Sequence, residues 1–283
     1  MAVLVPTSLA AALQALTELP DATVLAGGTD LMVEVNGGHR RPADIVVVNR
    51  VPELCTWRHD PAANTLRLGA GVTYAAIERD PIARWVPALA EAARTVGSPQ
   101  IRHSATIGGN VGTCSPAGDG LPVLAALDAE IELVSAQGAR TMPFAEFMVG
   151  PKRTARRPGE LISAITVPVL DGWQGYAKVG VRNAMVIATA SAALVACESR
   201  GTVAIALGSV GPVILRCPEA EAHAARHADF GARRLAAAVV VECSELVRDA
   251  ARPIDDHRST AAYRRHAVGV LAGRLLRRAF PNE

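Results

Sequence analysis

An α+β fold of two to three small lobes is what this sequence predicts, and three observations carry it. Hairpin signals and helical periodicity follow one another in no regular alternation, which argues against a doubly wound parallel sheet. The last third of the chain runs strands first and alanine-rich helices afterwards. Half of the 283 residues are hydrophobic, enough to bury a substantial core.

The elements follow in order. From Ser8, the residues Leu9, Ala12, Leu13, Leu16 and Leu19 recur at helical spacing behind a Thr7 or Ser8 cap, and Pro20-Asp21 ends that helix. Thr23 to Ala26 is a short apolar run meeting the turn Gly27-Gly28, and Asp44 to Val48 is a β-branched run bounded by Pro42. The segment therefore reads strand, glycine turn, strand. Leu54 to Arg58 and Thr65 to Leu68 flank Asp60-Pro61 as one hairpin, and Glu130 to Ser135 and Arg140 to Met142 flank Gln137-Gly138 as another. Between them, Tyr74 to Arg79 and Val86 to Val96 read as helices. The basic stretch Lys152 to Pro158 and the break Leu170-Asp171-Gly172 put the main boundary between 150 and 175. Strands then follow at Gly175 to Val181, Ala192 to Glu198 and Val203 to Ser209, with a terminal helix from Ser259 to Ala279.

Charge and composition narrow the function. Twenty-nine basic residues against 27 acidic ones leave +2, and aromatics make up 4%, so neither the electrostatic footprint nor the stacking platform of a nucleic-acid binder is present. No run approaches the roughly 20 apolar residues of a membrane span, and no basic region precedes the apolar start, so a cytoplasmic protein is expected. Cys55, Cys114, Cys197, Cys217 and Cys243 are scattered, which predicts reduced thiols, no metal site and no iron-sulfur cluster on this chain. The seven histidines suggest no triad, and His39, His103 and His257 read as surface or core residues. Arg264, Arg265, Arg274, Arg277 and Arg278 form a basic helix face, either solvated or turned to a partner.

Three glycine motifs compete for a ligand. Gly69-Ala70-Gly71 begins like a dinucleotide fingerprint, but Tyr74 stands where a third glycine is needed, so it reads as an ordinary strand-to-helix turn. Ala26-Gly27-Gly28-Thr29-Asp30-Leu31 and Thr106-Ile107-Gly108-Gly109-Asn110 are stronger. Backbone N–H groups of such loops can crowd a pyrophosphate, and Thr29, Thr106 and Asn110 can add side-chain donors, so the two loops could clamp one diphosphate. Glycine pairs also make plain turns, and the surroundings must decide.

Those surroundings are VLAGGTDLMVEV, SPQIRHSATIGGNVGTCSPAGDGLPVLAALDA, KVGVRNAMVIA and DDHRSTAAYRRHAVGVL. In this order they resemble successive signatures of the FAD-binding medium subunit of molybdenum hydroxylases, the xanthine dehydrogenase family, over most of the chain. The resemblance implies the FAD-binding fold of the vanillyl-alcohol oxidase and p-cresol methylhydroxylase flavoproteins: two α+β subdomains, 1–55 and 56–172, then a small α+β C-terminal domain, 173–283. It implies non-covalent FAD, with Val24, Leu25, Ala26, Gly27, Gly28, Thr29, Asp30 and Leu31 wrapping the pyrophosphate and Thr106, Gly108, Gly109 and Asn110 on its other side. Ser115 and Asp119 would lie along the cofactor, and Ile162 and Lys178 nearer the flavin ring. Asp119 could accept from sugar or ribityl hydroxyls or merely cap the helix near Leu121. Lys178 could stabilise charge on the reduced ring or sit on a solvated strand. The family's usual aromatic partner of the ring has no counterpart in Arg94-Thr95-Val96-Gly97.

The resemblance also implies partners: an iron-sulfur subunit holding [2Fe-2S] clusters and a molybdenum-cofactor subunit, in a heterotrimer or a dimer of heterotrimers. No catalytic acid or base is then needed on this chain, which relays electrons to NAD or another acceptor. Xanthine, another purine or another N-heterocycle is the expected substrate. Carbon monoxide, nicotine, aldehyde or aromatic acyl-CoA dehydrogenases are the alternatives within the family. A self-sufficient flavin oxidase of the same fold, or a scaffold lacking FAD, are the alternatives outside it.

Overall fold

The structure is a computed structural model and describes residues 2–282. Its first body is a parallel three-stranded sheet in the order β1 (Val3–Leu4), β3 (Ile45–Val47), β2 (Thr23–Leu25). Helix α1 (Leu9–Glu18) covers it. Ser8 caps that helix, its hydroxyl accepting from the Ala11 amide at 3.2 Å, and Ala12, Ala15 and Leu16 are buried beside Val46, Val48, Val51 and Leu54. Each of the leucines and valines withdrawn from water contributes about 1.5–3 kcal/mol, and each alanine about 0.8 kcal/mol. Between β2 and β3 the chain is not a bare glycine turn: helix α2 (Leu31–Asn36) intervenes, because parallel neighbours need a crossover and a tight turn cannot supply one.

The second body is an antiparallel sheet of five strands. Strands β4 (Trp57–Asp60) and β5 (Thr65–Gly69) form the first expected hairpin, and β6 (Glu130–Ser135) and β7 (Gly138–Pro143) the second. Between β5 and β6 come α3 (Tyr74–Ile77), α4 (Ile82–Trp85), α5 (Pro87–Thr95), α6 (Pro99–Ser104), α7 (Ile107–Thr113) and α8 (Gly120–Ala126). After β7 come α9 (Phe144–Phe147), the short pair β8 (Met148–Gly150) and β9 (Arg153–Thr154), and then β10 (Leu161–Pro168). Strand β10 inserts between β5 and β6 as the central strand, inside the stretch expected to hold a boundary. Its sequence LISAITVP is buried along nearly its whole length, so it lacks the alternation by which a half-exposed strand is recognised.

The third body is an antiparallel sheet of β11 (Trp173–Val179), β12 (Ala190–Cys197), β13 (Thr202–Gly208) and β14 (Leu215–Arg216), followed by α10 (Pro218–His227), α11 (Ala237–Ala250) and α12 (Ala261–Ala279). Strand β12, ASAALVAC, is buried on both faces: the C-terminal helices cover one and α5 and α8 the other. Small side chains let both layers approach. Arg264 departs from the expected exposed face of α12. It is 3% exposed, donating to the carbonyls of Thr189 (2.9 Å) and Ser209 (2.8 Å) and to Asp256 (2.7 Å). Arg278 instead stands outside, over Trp173 and bonded to Glu91 of α5.

Candidate functional site

A cleft of about 1120 Å³ is lined by residues of all three bodies. That exceeds the ordinary 300–1,000 Å³ of small-molecule sites and suits a long ligand. All the expected site residues except Lys178 lie on its wall.

The first glycine loop supplies backbone donors. Among the described residues, the amides of Gly27, Gly28, Thr29, Asp30 and Leu31 donate to no protein acceptor, although the next amide, that of Met32, bonds to the Gly28 carbonyl. Backbone N–H groups are obligatory hydrogen-bonders, so five successive unpaired ones along a cleft wall form a concavity for oxyanions. The two glycines serve different ends. At Gly28 φ is +72°, a left-handed conformation that side chains resist. At Gly27 an added Cβ would lie 1.7 Å from the Ser104 carbonyl oxygen, so this glycine lets the loop pack on the end of α6. Asp30 accepts from the Thr113 hydroxyl at 3.2 Å, tying the loop to α7.

The second glycine segment corrects the idea of two backbone loops clamping one diphosphate. Its residues are the first turn of α7, capped by Thr106, whose hydroxyl accepts from the Gly109 amide at 3.0 Å. The amides of Ile107 and Gly108 donate to the carbonyls of Val72 and Ala70, each at 2.9 Å, and that of Asn110 to Thr106. All four amides are consumed inside the protein. Asn110 offers its side chain instead: the Tyr74 hydroxyl donates to its Oδ1 at 2.7 Å, which leaves Nδ2 as the donor available at the wall. The turn Gly69-Ala70-Gly71, an ordinary strand-to-helix turn as read, also serves the cleft, because Ala70, Gly71 and Tyr74 line it and the carbonyls of Ala70 and the following Val72 anchor α7. A Cβ on Gly108 would meet the Ala70 Cβ at 2.4 Å, which explains that glycine by packing.

Asp119 occupies the N-cap position of α8 yet makes no capping bond. Its carboxylate accepts from the Tyr176 hydroxyl (2.8 Å) and the Lys178 ammonium (2.6 Å), with the Thr95 hydroxyl at 3.2 Å. Burial holds its pKa above the usual carboxylate range, an effect that Lys178, Tyr176 and Thr95 offset only in part. The same burial drives the Tyr176 phenol well above its usual range. Lys178 is the expected residue that the structure displaces from the wall. It lies behind Asp119 with its three protons directed to Asp119 and to the carbonyls of Thr95 (2.9 Å) and Val186 (3.0 Å). Ser115 keeps to the wall while accepting from the Ala117 amide, and Ile162 presents a mostly buried apolar surface.

Several wall residues escaped the sequence reading. Arg40, Lys152, Arg156 and Arg157 bring positive charge to the cleft. Arg40 and Lys152 both pair with Glu34, and the Lys152 hydrogen bond holds the Glu34 carboxyl below its usual range. The signal was the basic stretch from Lys152, read there as a boundary. His103 lies on the wall, its ring 2.7 Å from the Pro99 carbonyl. Tyr74 is the one phenylalanine, tyrosine or tryptophan on the wall among the described residues, and it is 1% exposed. Exposed apolar cover comes from Ile101, Met185 and Ile187.

The chain's sequence matches the family described as FAD binding domain in molybdopterin dehydrogenase over residues 1–170, and the CO dehydrogenase flavoprotein C-terminal domain over 176–279. It is 34% identical over 252 residues to the glyceraldehyde dehydrogenase medium chain of Sulfolobus acidocaldarius, covering 87% of this chain and 86% of that one. With the putative xanthine dehydrogenase FAD-binding subunit of Escherichia coli it shares 29% over 281 residues, 96% and 93% of the two chains. The reconstituted CO dehydrogenase from Oligotropha carboxidovorans superposes with a TM-score of 0.90 at 29% identity, over 100% of this chain and 98% of that one.

Proposed function

The chain belongs to the family of FAD-binding subunits of molybdopterin dehydrogenases, and from that premise we propose that its cleft holds FAD non-covalently through the residues just described and passes electrons from iron-sulfur clusters of a partner to NAD or another acceptor. It is an oxidoreductase subunit of the molybdenum hydroxylase family, a family whose members include xanthine, carbon monoxide and nicotinate dehydrogenases. The observation that carries the site assignment is the row of five unpaired amides at 27–31 on the cleft wall, which fits a pyrophosphate.

FAD held there would supply a carrier able to accept electrons one at a time and to give them up one or two at a time. The chain's own part is to hold and orient. The loop at 27–31 binds the diphosphate, with Val24, Leu25 and Ala26 leading into it. Asn110 adds a side-chain donor from the opposite wall, where Thr106, Gly108 and Gly109 shape the approach. Ser115, Asp119 and Ile162 lie further along, and Met185 and Ile187 exclude water in the role that an aromatic would otherwise take. The three larger sheets support subdomains 1–55 and 56–172 and a C-terminal domain 173–283, although the core of the second continues onto the third through Tyr176, Ala193, Val195 and Ala206.

The proposed complex adds an iron-sulfur subunit and a molybdenum-cofactor subunit as a heterotrimer or its dimer, in the cytoplasm. The preferred substrate class is xanthine or another N-heterocycle, on the resemblance of AGGTDLMVEVN and KVGVRNAMVIA to xanthine dehydrogenase-type subunits. The test mixes xanthine, hypoxanthine, glyceraldehyde and carbon monoxide anaerobically with the flavin-loaded chain, then with the reconstituted complex. The relay reading expects bleaching of the flavin only in the complex, and by the purines. Bleaching of the isolated chain would overturn it in favour of a self-sufficient oxidase. Acid precipitation should free the flavin into the supernatant.

A further inference from the structure

A second cavity, of about 270 Å³, shares no lining residue with the cleft. It lies where the second and third bodies meet, between the end of α8, the start of α9 and the loop leading into β14. Phe144 and Met148, both buried, and the half-buried Val213 and Ile214 give it apolar walls. Ala125, Ala129 and Ala145 stand where longer side chains would fill it. Protein interiors are close-packed, so apolar walls around such a space forfeit dispersion contacts unless something occupies it. The polar side chains on its wall are Asp128 and Arg216, 2.6 Å apart. A guanidinium has five N–H donors. In Arg216, Nε and Nη2 each donate to Glu221 (2.6 and 3.0 Å), and Nη1 donates to the Ala125 carbonyl (2.9 Å) and to Asp128. The second Nη2 proton has no partner among the described residues.

We propose that this cavity binds a neutral bicyclic heteroaromatic molecule, its rings against Phe144 and Met148 and a ring nitrogen or oxygen accepting the spare Arg216 proton. Size sets the first limit. A cavity of about 150 Å³ accepts benzene and ordinary small-molecule sites begin near about 300 Å³, so this one suits about two fused rings and excludes a dinucleotide. Wall chemistry sets the second, because a phenyl ring and a thioether both favour an aromatic neighbour. Charge sets the third. Arg216 is already met by the carboxylates of Asp128 and Glu221, so an anionic ligand would be repelled and a neutral one is preferred. Since the walls come from two bodies, a bound ring bridges them and occupies only the assembled chain. Occupancy here is independent of the FAD reading, as the two sites share no residue.

Isoquinoline is a suitable probe, being two fused rings, neutral at pH 8, with one acceptor nitrogen. Calorimetry and ligand-detected magnetic resonance on the full chain should show one isoquinoline bound per chain, with a dissociation constant of about 1 mM or tighter, as suits about ten heavy atoms. Saturating FAD should leave that constant unchanged within about twofold. Indole has the same size but offers a donor and no ring acceptor, and should bind about tenfold more weakly, the loss of a bond to a charged group. Ala145→Phe places a ring in the cavity from an exposed position and should abolish isoquinoline binding while circular dichroism stays unchanged. Ala125→Leu, on the half-buried wall of α8, should do the same and decides the matter if the first variant does not fold. The assembled multi-subunit complex should bind isoquinoline as the single chain does. Absence of saturable binding, displacement by FAD, binding retained in both filled variants, or indole binding as tightly as isoquinoline would each overturn the site. Loss of binding on assembly would do so as well, by giving the cavity to a partner's side chain. Failure of the chain to bind FAD would instead overturn the FAD reading and leave this site standing.

Discussion

At the scale of single residues, the cleft divides glycines that look alike in sequence. Gly27 and Gly108 are spacers, since a Cβ at either would strike backbone or side-chain atoms of a neighbouring segment at 1.7 and 2.4 Å. Gly28 is conformational, and Gly109 leaves room for the Thr106 cap, whose oxygen stands 3.0 Å from where its Cβ would be. Gly108→Val should therefore lower the melting temperature along with FAD affinity. Gly28→Val should abolish FAD binding with a smaller stability loss, on the order of the 1–2 kcal/mol of a left-handed residue. Parallel thermal melts and flavin titrations check this, and equal stability losses would refute it. The cysteines give a second expectation at this scale. Burial pushes the thiols of Cys114 and Cys243 up to about 11 and that of Cys217 to about 12, and Cys197 is buried, whereas Cys55 is exposed on the cleft wall. An aromatic disulfide reagent at pH 8 should react rapidly with one thiol in the native protein, and FAD should slow that reaction. Two or more fast thiols would contradict it.

At the scale of elements, caps and anchors hold the site. Thr106 starts α7 and its hydroxyl secures the Gly109 amide, so Thr106→Val should cost about 1 kcal/mol of stability, the usual value of a lost N-cap, measured by urea unfolding. The terminal helix α12 is fastened at its start. Although desolvation works against it, Asp256 is held at about 2 by the amides of Arg258 and Ser259 and by the Arg264 guanidinium. Its folded pKa thus lies below the usual 3.8, so its stabilisation is fully present above 3.8 and is lost as pH falls from there through about 2. Urea midpoints measured between pH 5 and 2.5 should fall less steeply in Asp256→Asn than in the unaltered protein, and parallel slopes would contradict the assignment. The segment after β11 depends on this anchor too: Arg264 and the Ser209 hydroxyl hold the carbonyls of Thr189 and Ala188, just beyond the cleft-lining Ile187.

At the scale of the whole molecule, the cleft exists because three bodies meet. Loop 27–31 comes from the first, α7 and β10 from the second, and the 185–187 stretch follows the first strand of the third. Arg216 joins Asp128 at 2.6 Å and Arg278 joins Glu91 at 2.6 Å, linking the last two bodies away from the cleft. A ligand touching all three binds only the assembled chain. FAD at a hundredfold excess over its dissociation constant should then stabilise the protein by about 2.7 kcal/mol, a rise of several degrees in melting temperature. ADP at the same saturation should match that shift, because linkage depends on occupancy and not on the number of contacts; a missing shift with either would mean that the unfolded chain binds as well.

What the sequence by itself determined was the local grammar: the Ser8 cap, both hairpins, the C-terminal strands and helices, and the order of motifs by which the family is recognised. These signals depend on near neighbours, through periodicity, turn chemistry and glycine placement. The structure alone decided which donors stay free. The amides of 27–31 and those of 107–110 sit in equally glycine-rich sequence, but only the latter meet carbonyls from Ala70 and Val72, far away in the chain. It likewise decided that Lys178 lies behind the wall and Arg264 inside the core, and that the boundary-like stretch after Lys152 supplies cleft charge and leads into the central strand β10. Burial and hydrogen-bond saturation depend on which distant segments arrive, and no local pattern in the sequence encodes that.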